Sequence, residues 1–425
     1  MTGSLTGTTA QFQDMLNEYL PNALLREEMK KRDYFLTNVE KDNTWKGGSL
    51  IVPFKGAGAS TIKLGGLASS ADINQSRFVR GQIDVQPEVW GSLIFNEKDI
   101  MRNGKVDAQS LIAVLPDTID DFMEYMKQCV SLQFTNGPIF ASATASGTAS
   151  GIVVDRIERF VVGQPAVLKS STIAALKFWV KQVDINTKQV QLSSTMDLAA
   201  AVDLSAYVIG DAPVFYFDGG ETAANQFTAL KDSLLSATNG GSATLYGQTK
   251  LAYPYTQAVN INAGAAGVFG AWTQTNFLEN IFKSQIIVRN IGKGMPNKIV
   301  MSYQNLGWAL IALDLQKGAY RQAGDTRVSQ YGWTEIDIMG PEGMLTLVAV
   351  QEMDNDFMAI LDLKALKIYS NGFFRKRKGP DGLEYFTIRD TDGYKYILDT
   401  CFFGDMVLQR PSRCGIIFNI SISLS

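Results

Sequence analysis

The densest group of side chains that could carry acid–base or metal chemistry is acidic and lies at the start of a predicted helix. Its four carboxylates are Asp117, Asp120, Asp121 and Glu124. Paired carboxylates serve as general acid and base or as ligands for hard cations. Acidic residues also favour the first turns of a helix because of its dipole. No glycosidase or metal-ligand spacing accompanies these four, so the dipole is the interpretation that we adopt.

Other catalytic chemistry is limited by composition. The chain of 425 residues contains no histidine, which excludes imidazole general bases, Ser–His–Asp triads and histidine-ligated zinc. Cys129, Cys401 and Cys414 form no CxxC pair, and their odd number fits a reducing compartment. Cys129 is interpreted as a small packed residue of its helix. We therefore predict no enzyme, no catalytic or metal-binding residue and no cofactor.

Two glycine-containing segments and one basic run invite a search for phosphate sites. Gly292–Gly294 and Gly247–Lys250 lack the GxxxxGK[ST] spacing and are interpreted as turns. The basic run consists of Arg375, Lys376, Arg377 and Lys378. It is either a solubilising tip or a surface that contacts nucleic-acid phosphates without reading sequence.

Several secondary-structure elements must position these residues. The first two have too few bulky apolar residues to form a hydrophobic core of their own. Residues 10–34 have helical spacing, and residues 45–54 and 76–90 have β-like patterns separated by a stretch rich in glycine, serine and alanine. Such an extended hairpin is stable only when it packs against another surface, and a protein partner is the simplest candidate. A low charged fraction of 19%, against a typical ~25%, also suggests surfaces covered by other subunits.

The sequence pattern in the middle of the chain is typical of short β-strands. Residues 160–168 and 207–215 echo each other, and Asn186-Thr187 marks a hairpin between 178–183 and 189–192. We therefore predict that residues 152–218 form a small inserted β-barrel whose interior is filled by side chains.

An α/β unit and a β-rich end follow. Lys298–Met301 is predicted as a strand, Ser302 as a helix cap, and the helix ends at Lys317-Gly318. Near the end, Phe373-Phe374 and residues 384–388 predict a hairpin around a turn at 379–382.

The order of these units, and three segments within them, resembles the major capsid proteins of tailed bacteriophages, which share the Hong Kong 97-like fold. The segments are Ile299–Tyr320, Met353–Asp362 and Val407–Arg413. The resemblance implies an α+β chain with an extended loop and a long spine helix. The implied domains are an N-terminal arm (1–45), an extended hairpin loop (46–96), a peripheral domain with the spine helix (97–151), the inserted barrel (152–218), an axial domain and connection (219–357) and peripheral return strands (358–425).

The same resemblance implies a function. Copies of the chain would form hexamers and pentamers of an icosahedral head that encloses double-stranded DNA. The protein would be made in the host bacterial cytoplasm and located in the virion, with portal, scaffolding and decoration proteins as further partners and no membrane. Lys63, Arg77 and Arg80 are the expected intersubunit loop contacts, and the run Arg375–Lys378 is expected to face DNA.

Three alternatives remain open at the level of sequence. A nanocompartment shell of the encapsulin type shares the fold and encloses protein cargo. A carboxylate-based glycosidase predicts a cleft and a small oligomer. A tail or sheath subunit predicts helical tubes. The N-terminus lacks a signal-peptide pattern, and no stretch reaches the ~18 apolar residues of a membrane-spanning helix.

Overall fold

The computed structural model describes residues 34–55, 78–96, 122, 125–222, 225–253, 256–292, 294–317, 335–340, 343–371, 375–376, 386–390 and 393–420. The chain divides into two compact units. Unit one comprises residues 1–48, 86–131 and 368–405, and unit two comprises residues 49–85, 132–367 and 406–425. The predicted N-terminal helix at 10–34 falls almost wholly outside the described residues.

Runs of consecutive strands separated by a few helices make up the described chain, which confirms the α+β class. The helices are α1 (Tyr34–Asn38), α2 (125–135), α3 (Leu230–Leu234), α4 (Phe277–Gly292) and α5 (Tyr303–Lys317). The strands of the first half are β1 (Glu40–Asp42), β2 (Leu50–Lys55), β3 (Phe78–Ile83), β4 (Glu88–Asn96), β5 (Ile139–Ser142), β6 (Ile152–Val153), β7 (Pro165–Lys169), β8 (Leu176–Asp184), β9 (Gln189–Ser193) and β10 (Val214–Tyr216). Those of the second half are β11 (Thr244–Leu245), β12 (Gln248–Thr249), β13 (Val259–Asn262), β14 (Lys298–Met301), β15 (Glu335–Gly340), β16 (Gly343–Ala349), β17 (Phe357–Leu361), β18 (Leu366–Ser370), β19 (Arg375–Lys376), β20 (Phe386–Asp390), β21 (Gly393–Leu408) and β22 (Gly415–Phe418).

Unit one is built on the 16-residue strand β21. β4 pairs antiparallel with it from Lys395 opposite Asn96 to Phe403 opposite Glu88. β18, β19 and β20 also pair with β21, and β1 pairs with β18. Phe402 and Val130 are fully buried, so both the sheet and α2 contribute to this unit's core.

The central sheet of unit two has the order β13-β22-β17-β14-β16-β15. The pairs β13–β22 and β14–β16 are parallel, and the other pairs are antiparallel. Every residue of β17 is buried, as expected for a strand covered on both faces. α4 places Phe277, Ile281 and Val288 on one stripe in the same apolar cluster as β14 and β17.

The predicted barrel region is a six-stranded antiparallel sheet of order β5-β10-β7-β8-β9-β6. The sheet takes in β5, which precedes residue 152. An isolated antiparallel bridge between Ala143 and Val154 joins the segments that follow the two outer strands. Inside, the rings of Phe160 and Phe215 meet edge to face at 5.0 Å. The closed barrel itself stays a prediction.

Elements whose sequence signals lie within a few residues match the predictions. β14 spans Lys298–Met301, as predicted, and the backbone N–H of Asn305 donates to Oγ of Ser302 at the start of α5. β8 and β9 form the hairpin predicted around Asn186-Thr187, with Asp184 opposite Gln189.

One prediction of strand pairing is wrong in part. β2 and β3 pair antiparallel as the two sides of the predicted hairpin. The run from Ser76 to Trp90 is not one strand, however, because β4 begins at Glu88 and pairs with β21. Pro87 lies between β3 and β4, and proline has no N–H with which to continue a ladder.

The predicted hairpin between residues 373–374 and 384–388 falls largely outside the described residues: 373–374, the turn at 379–382 and 384–385 are not described. Phe386 lies opposite Ile397, and Arg375 lies opposite Cys401. Both short strands therefore pair with β21. This strand is long enough to hydrogen-bond to each of them along a different part of its length.

Candidate assembly surfaces

The root of the extended hairpin has two different faces. In the antiparallel pair β2–β3, Val52 lies opposite Gly81 and Phe54 lies opposite Val79. Val52 and Phe54 are buried, whereas Ile51 is 55% exposed. Because side chains alternate in direction along a strand, the hairpin root has a packed inner face and a solvent-exposed outer face.

The inner face packs on Tyr246 in the turn between β11 and β12. The rings of Phe54 and Tyr246 stack with centroids 5.7 Å apart and planes at 11°. The N–H of Gln82 donates to the carbonyl oxygen of Tyr246 at 2.8 Å. The N–H of Leu408 donates to the Tyr246 hydroxyl at 2.8 Å. Leu408 belongs to unit two, so one tyrosine joins the hairpin root to another segment of the same unit.

Gly81 is required at this contact because no side chain fits there. A Cβ atom at this position would lie 2.7 Å from Cε2 of Phe54 and 2.9 Å from Cβ of Tyr246. The sequence analysis missed both Tyr246 and Gly81. The signal that could have found the contact is a glycine inside a strand pattern, which marks a close approach of the backbone.

The outer face carries Ile51, Pro53 and Arg80, all exposed. Arg80 is one of the three predicted loop contacts, and its carbonyl oxygen accepts a hydrogen bond from Nε2 of Gln248 at 2.8 Å. This bond fixes the backbone of β3, so the Arg80 side chain starts from a rigid position. An apolar and cationic face on a rigid root is suited to contact another protein surface.

Most of the remaining predicted site residues fall outside the part of the chain that the structure describes. Lys63, Arg77, Arg377 and Lys378 lie outside the described residues, as does the acidic cluster of Asp117, Asp120, Asp121 and Glu124. Arg375 and Lys376 form β19 in unit one. Within the described ranges, no three metal-binding side chains cluster. No helix there has the length and apolarity needed to cross a membrane.

Unit one also has a solvent-exposed apolar face. Trp90 and Ile94 lie four residues apart on β4, so they project from the same side of the strand, and both are exposed. The rings of Trp90 and Phe403 meet edge to face with their centroids 5.4 Å apart, which holds the indole in place. Each unit thus presents an ordered, exposed apolar patch.

The inserted sheet is held to the central sheet of unit two by Arg159. Its Nη2 lies 2.9 Å from Oδ1 of Asp354. The same guanidinium donates to the carbonyl oxygens of Phe140 and Glu352 at 2.9 and 2.8 Å. Arg156 adds a second contact to Asp354 at 3.4 Å.

All three thiols and one of the described lysines, Lys250, are buried. Burial raises the pKa of the Cys129 and Cys414 thiols to about 12. Burial also lowers the Lys250 pKa to about 8, against the opposing effect of Asp232. Nζ of Lys250 donates to the carbonyl oxygens of Asp232 and Leu235, and the residue is 1% exposed. These contacts give Lys250 a structural role at the end of α3.

Comparison with known proteins gives similarity only at the level of structure. No protein-family model matches the chain, and no curated protein sequence matches it. The chain is similar to the cyanophage A-1(L) capsid asymmetric unit, with 12% identity, 90% of each chain covered and a TM-score of 0.46. It is similar to the capsid of Myoviridae phage XM1, with 8% identity, 91% of each chain covered and a TM-score of 0.37. For the holo-SrpI encapsulin complex from Synechococcus elongatus PCC 7942, the identity is 6%, the coverage 93% of this chain and 89% of that chain, and the TM-score 0.40. Phage capsid chains and an encapsulin chain are thus among the solved structures to which the chain is similar.

Proposed function

We propose that this chain is a shell-forming structural protein, the major capsid protein of a tailed phage, and not an enzyme. The observation that carries the proposal is the hairpin root, whose inner face is fixed on Tyr246 while Ile51, Pro53 and Arg80 remain exposed on the outer face. An exposed apolar face on a rigid support is stabilised when another surface covers it. Identical copies of the chain are the partner proposed.

Contacts of this type are heterologous, because the hairpin of one copy meets a different surface of the next. Heterologous contacts between identical chains close into rings when the rotation allows it. The proposed rings are hexamers and pentamers of an icosahedral head around double-stranded DNA. The interfaces of one copy together would exceed the ~1,600 Å² of a standard pairwise contact. Portal, scaffolding and decoration proteins would complete the virion.

The test is assembly of the full chain expressed alone. Size-exclusion chromatography followed by negative-stain microscopy should show closed particles. Ile51→Asp should abolish the particles while circular dichroism stays unchanged, because the new charge would be buried in the interface. Ile185→Asp is the matched control, since Ile185 is 74% exposed at the β8–β9 turn and has no role in the proposed contact.

Two results would contradict the proposal: a wild-type chain that stays monomeric at high concentration, or an Ile51→Asp variant that assembles normally. Helical tubes would point to a tail or sheath subunit. The contents of purified particles separate a phage head from a nanocompartment, because a head holds nucleic acid and a nanocompartment holds protein. Changing Arg375, Lys376, Arg377 and Lys378 together to glutamate should reduce DNA retention without affecting assembly.

A further inference from the structure

Each of the two exposed apolar patches also carries a charged side chain. The first, called the root patch, lies on the outer face of the hairpin root and consists of Ile51, Pro53 and Arg80, all exposed. Pro53 lies directly opposite Arg80 in the β2–β3 pair. Ile51 lies two residues before Pro53, on the same side of β2. The three side chains therefore form one continuous surface.

The second, called the sheet patch, lies on β4 of unit one and consists of Glu88, Trp90 and Ile94, all exposed. These residues are separated by even numbers of positions, so their side chains project from the same side of the strand. The opposite side of β4 is packed on α2, because a Cβ atom at Gly91 would collide with Sδ of Met126. The sheet patch is therefore on the face of the sheet that points away from α2.

Polar groups beside the apolar side chains of both patches already have hydrogen-bond partners. In the sheet patch, Ser92 lies between the two apolar residues, and its Oγ donates to Oδ1 of Asp399 at 2.6 Å. Beside the root patch, Nε2 of Gln82 donates to Oδ1 of Asp84 at 2.5 Å. Leaving a buried donor without an acceptor is the main cost of covering polar surface. These bonds reduce that cost when another protein surface covers either patch.

The two patches are complementary in charge and in spacing. Each places one charged residue, Arg80 or Glu88, beside apolar side chains. Cross-strand neighbours such as Arg80 and Pro53 are about 5 Å apart, and residues two positions apart on a strand, such as Glu88 and Trp90, are about 7 Å apart. An ion pair and an apolar contact can therefore form side by side when the patches face each other. The indole of Trp90 is a typical anchor of such a contact.

We propose that the root patch of one copy covers the sheet patch of a second copy, with Arg80 paired to Glu88. The inference rests on the shell function proposed above and identifies the surface that the hairpin root contacts. Two root patches facing each other would bring two arginines together, and two sheet patches would bring two glutamates together. Like charges across an interface repel. The favoured contact is therefore heterologous, the type from which rings of identical chains are built.

The experiment reverses the two charges, separately and together, in the full-length chain. Arg80→Glu alone and Glu88→Arg alone should each lower the yield of assembled particles about tenfold, because each change places like charges opposite each other. The chain that carries both changes should assemble like the wild type. Size-exclusion chromatography and negative-stain microscopy measure the yields. Lys188→Glu is the matched control, because it reverses an exposed charge at the β8–β9 turn, outside both patches.

A mixture of the two single variants tests whether the ion pair joins different copies. When chains with Arg80→Glu alternate with chains with Glu88→Arg, every contact between neighbours brings opposite charges together. An equal mixture should therefore assemble although neither variant assembles well alone. An ion pair within one chain would be restored only in the doubly changed chain. Recovery there without recovery in the mixture overturns the proposal.

The outcomes separate this inference from the proposed function. A wild-type chain that does not assemble overturns both. If the wild type assembles, the pairing alone is overturned when the single variants assemble equally well, or when neither the doubly changed chain nor the mixture recovers. Circular dichroism checks that each variant is folded. No change is expected there, because both side chains are exposed.

Discussion

The guanidinium of Arg159 lies 2.9 Å from the carboxylate of Asp354, and this ion pair fixes the inserted sheet to the loop between β16 and β17. Both side chains are largely buried, and the guanidinium also donates to two backbone carbonyls. The inserted sheet is therefore held in one orientation on the central sheet of unit two by a contact between residues far apart in the chain.

Arg159→Met should lower the free energy of unfolding of unit two by about 2–4 kcal/mol. It leaves two backbone carbonyls without their donor. It also removes the shortest ion pair of Asp354, which keeps only the longer contacts with Arg156 and Lys231. Lys177→Met is the control. Its ion pair with Asp218 at 2.5 Å is nearly half exposed on both sides, so its loss should cost less than about 1 kcal/mol. Urea denaturation measures both variants, and equal losses would contradict the role given to Arg159.

Gly81→Ala should destabilise the hairpin root by about 1–3 kcal/mol, the usual cost of overpacking a filled site. The added methyl group would meet Phe54 and Tyr246 at less than 3.0 Å. Gly48→Ala serves as the control, because a Cβ there meets nothing within 4 Å. Hydrogen exchange of the β2 and β3 amides should speed up in the first variant only. Unchanged protection in Gly81→Ala would show that the contact with Tyr246 is loose.

The buried Lys250 should give stability a distinct pH dependence. Its pKa in the folded chain is about 8, below the ordinary 10.5. Between these two values the unfolded chain binds more protons than the folded chain, so the stability contributed by this group rises with pH. The rise is at most about 1.4 kcal/mol per pH unit.

Denaturation at pH 7.5, 8.5 and 9.5 measures this dependence, with Lys250→Met as the baseline for all other titrating groups. The difference between the wild type and the variant should be flat well below pH 8 and should change in favour of the wild type above it. Parallel profiles across this range would contradict the burial of the ammonium group.

The thiols should resist alkylation in the folded protein. Cys129, Cys401 and Cys414 form no disulfide and are buried, and burial raises the pKa of Cys129 and Cys414 to about 12. Because the thiolate is the reactive species, iodoacetamide at pH 8 should label none of them within the time that labels all three in denaturant. Intact mass spectrometry counts the labels. Rapid labelling of the native chain would refute this packing.

The sequence was sufficient for elements whose signals are local. The strand Lys298–Met301, the cap at Ser302 and the helix after it were predictable because apolar spacing and a capping side chain act within a few residues. The β8–β9 hairpin was predictable for the same reason. The absence of histidine, a property of composition alone, limits the chemistry that any fold of this chain could perform.

Tertiary structure decided which distant partners these elements take. The apolar pattern of Phe386–Asp390 shows that it is a strand, but not that it pairs with β21. Likewise, no residue next to Tyr246 in the sequence indicates that its ring stacks on Phe54. Strand partners and convergent side chains depend on contacts across long chain separations, and these are set by the packing of the whole unit rather than by neighbouring residues.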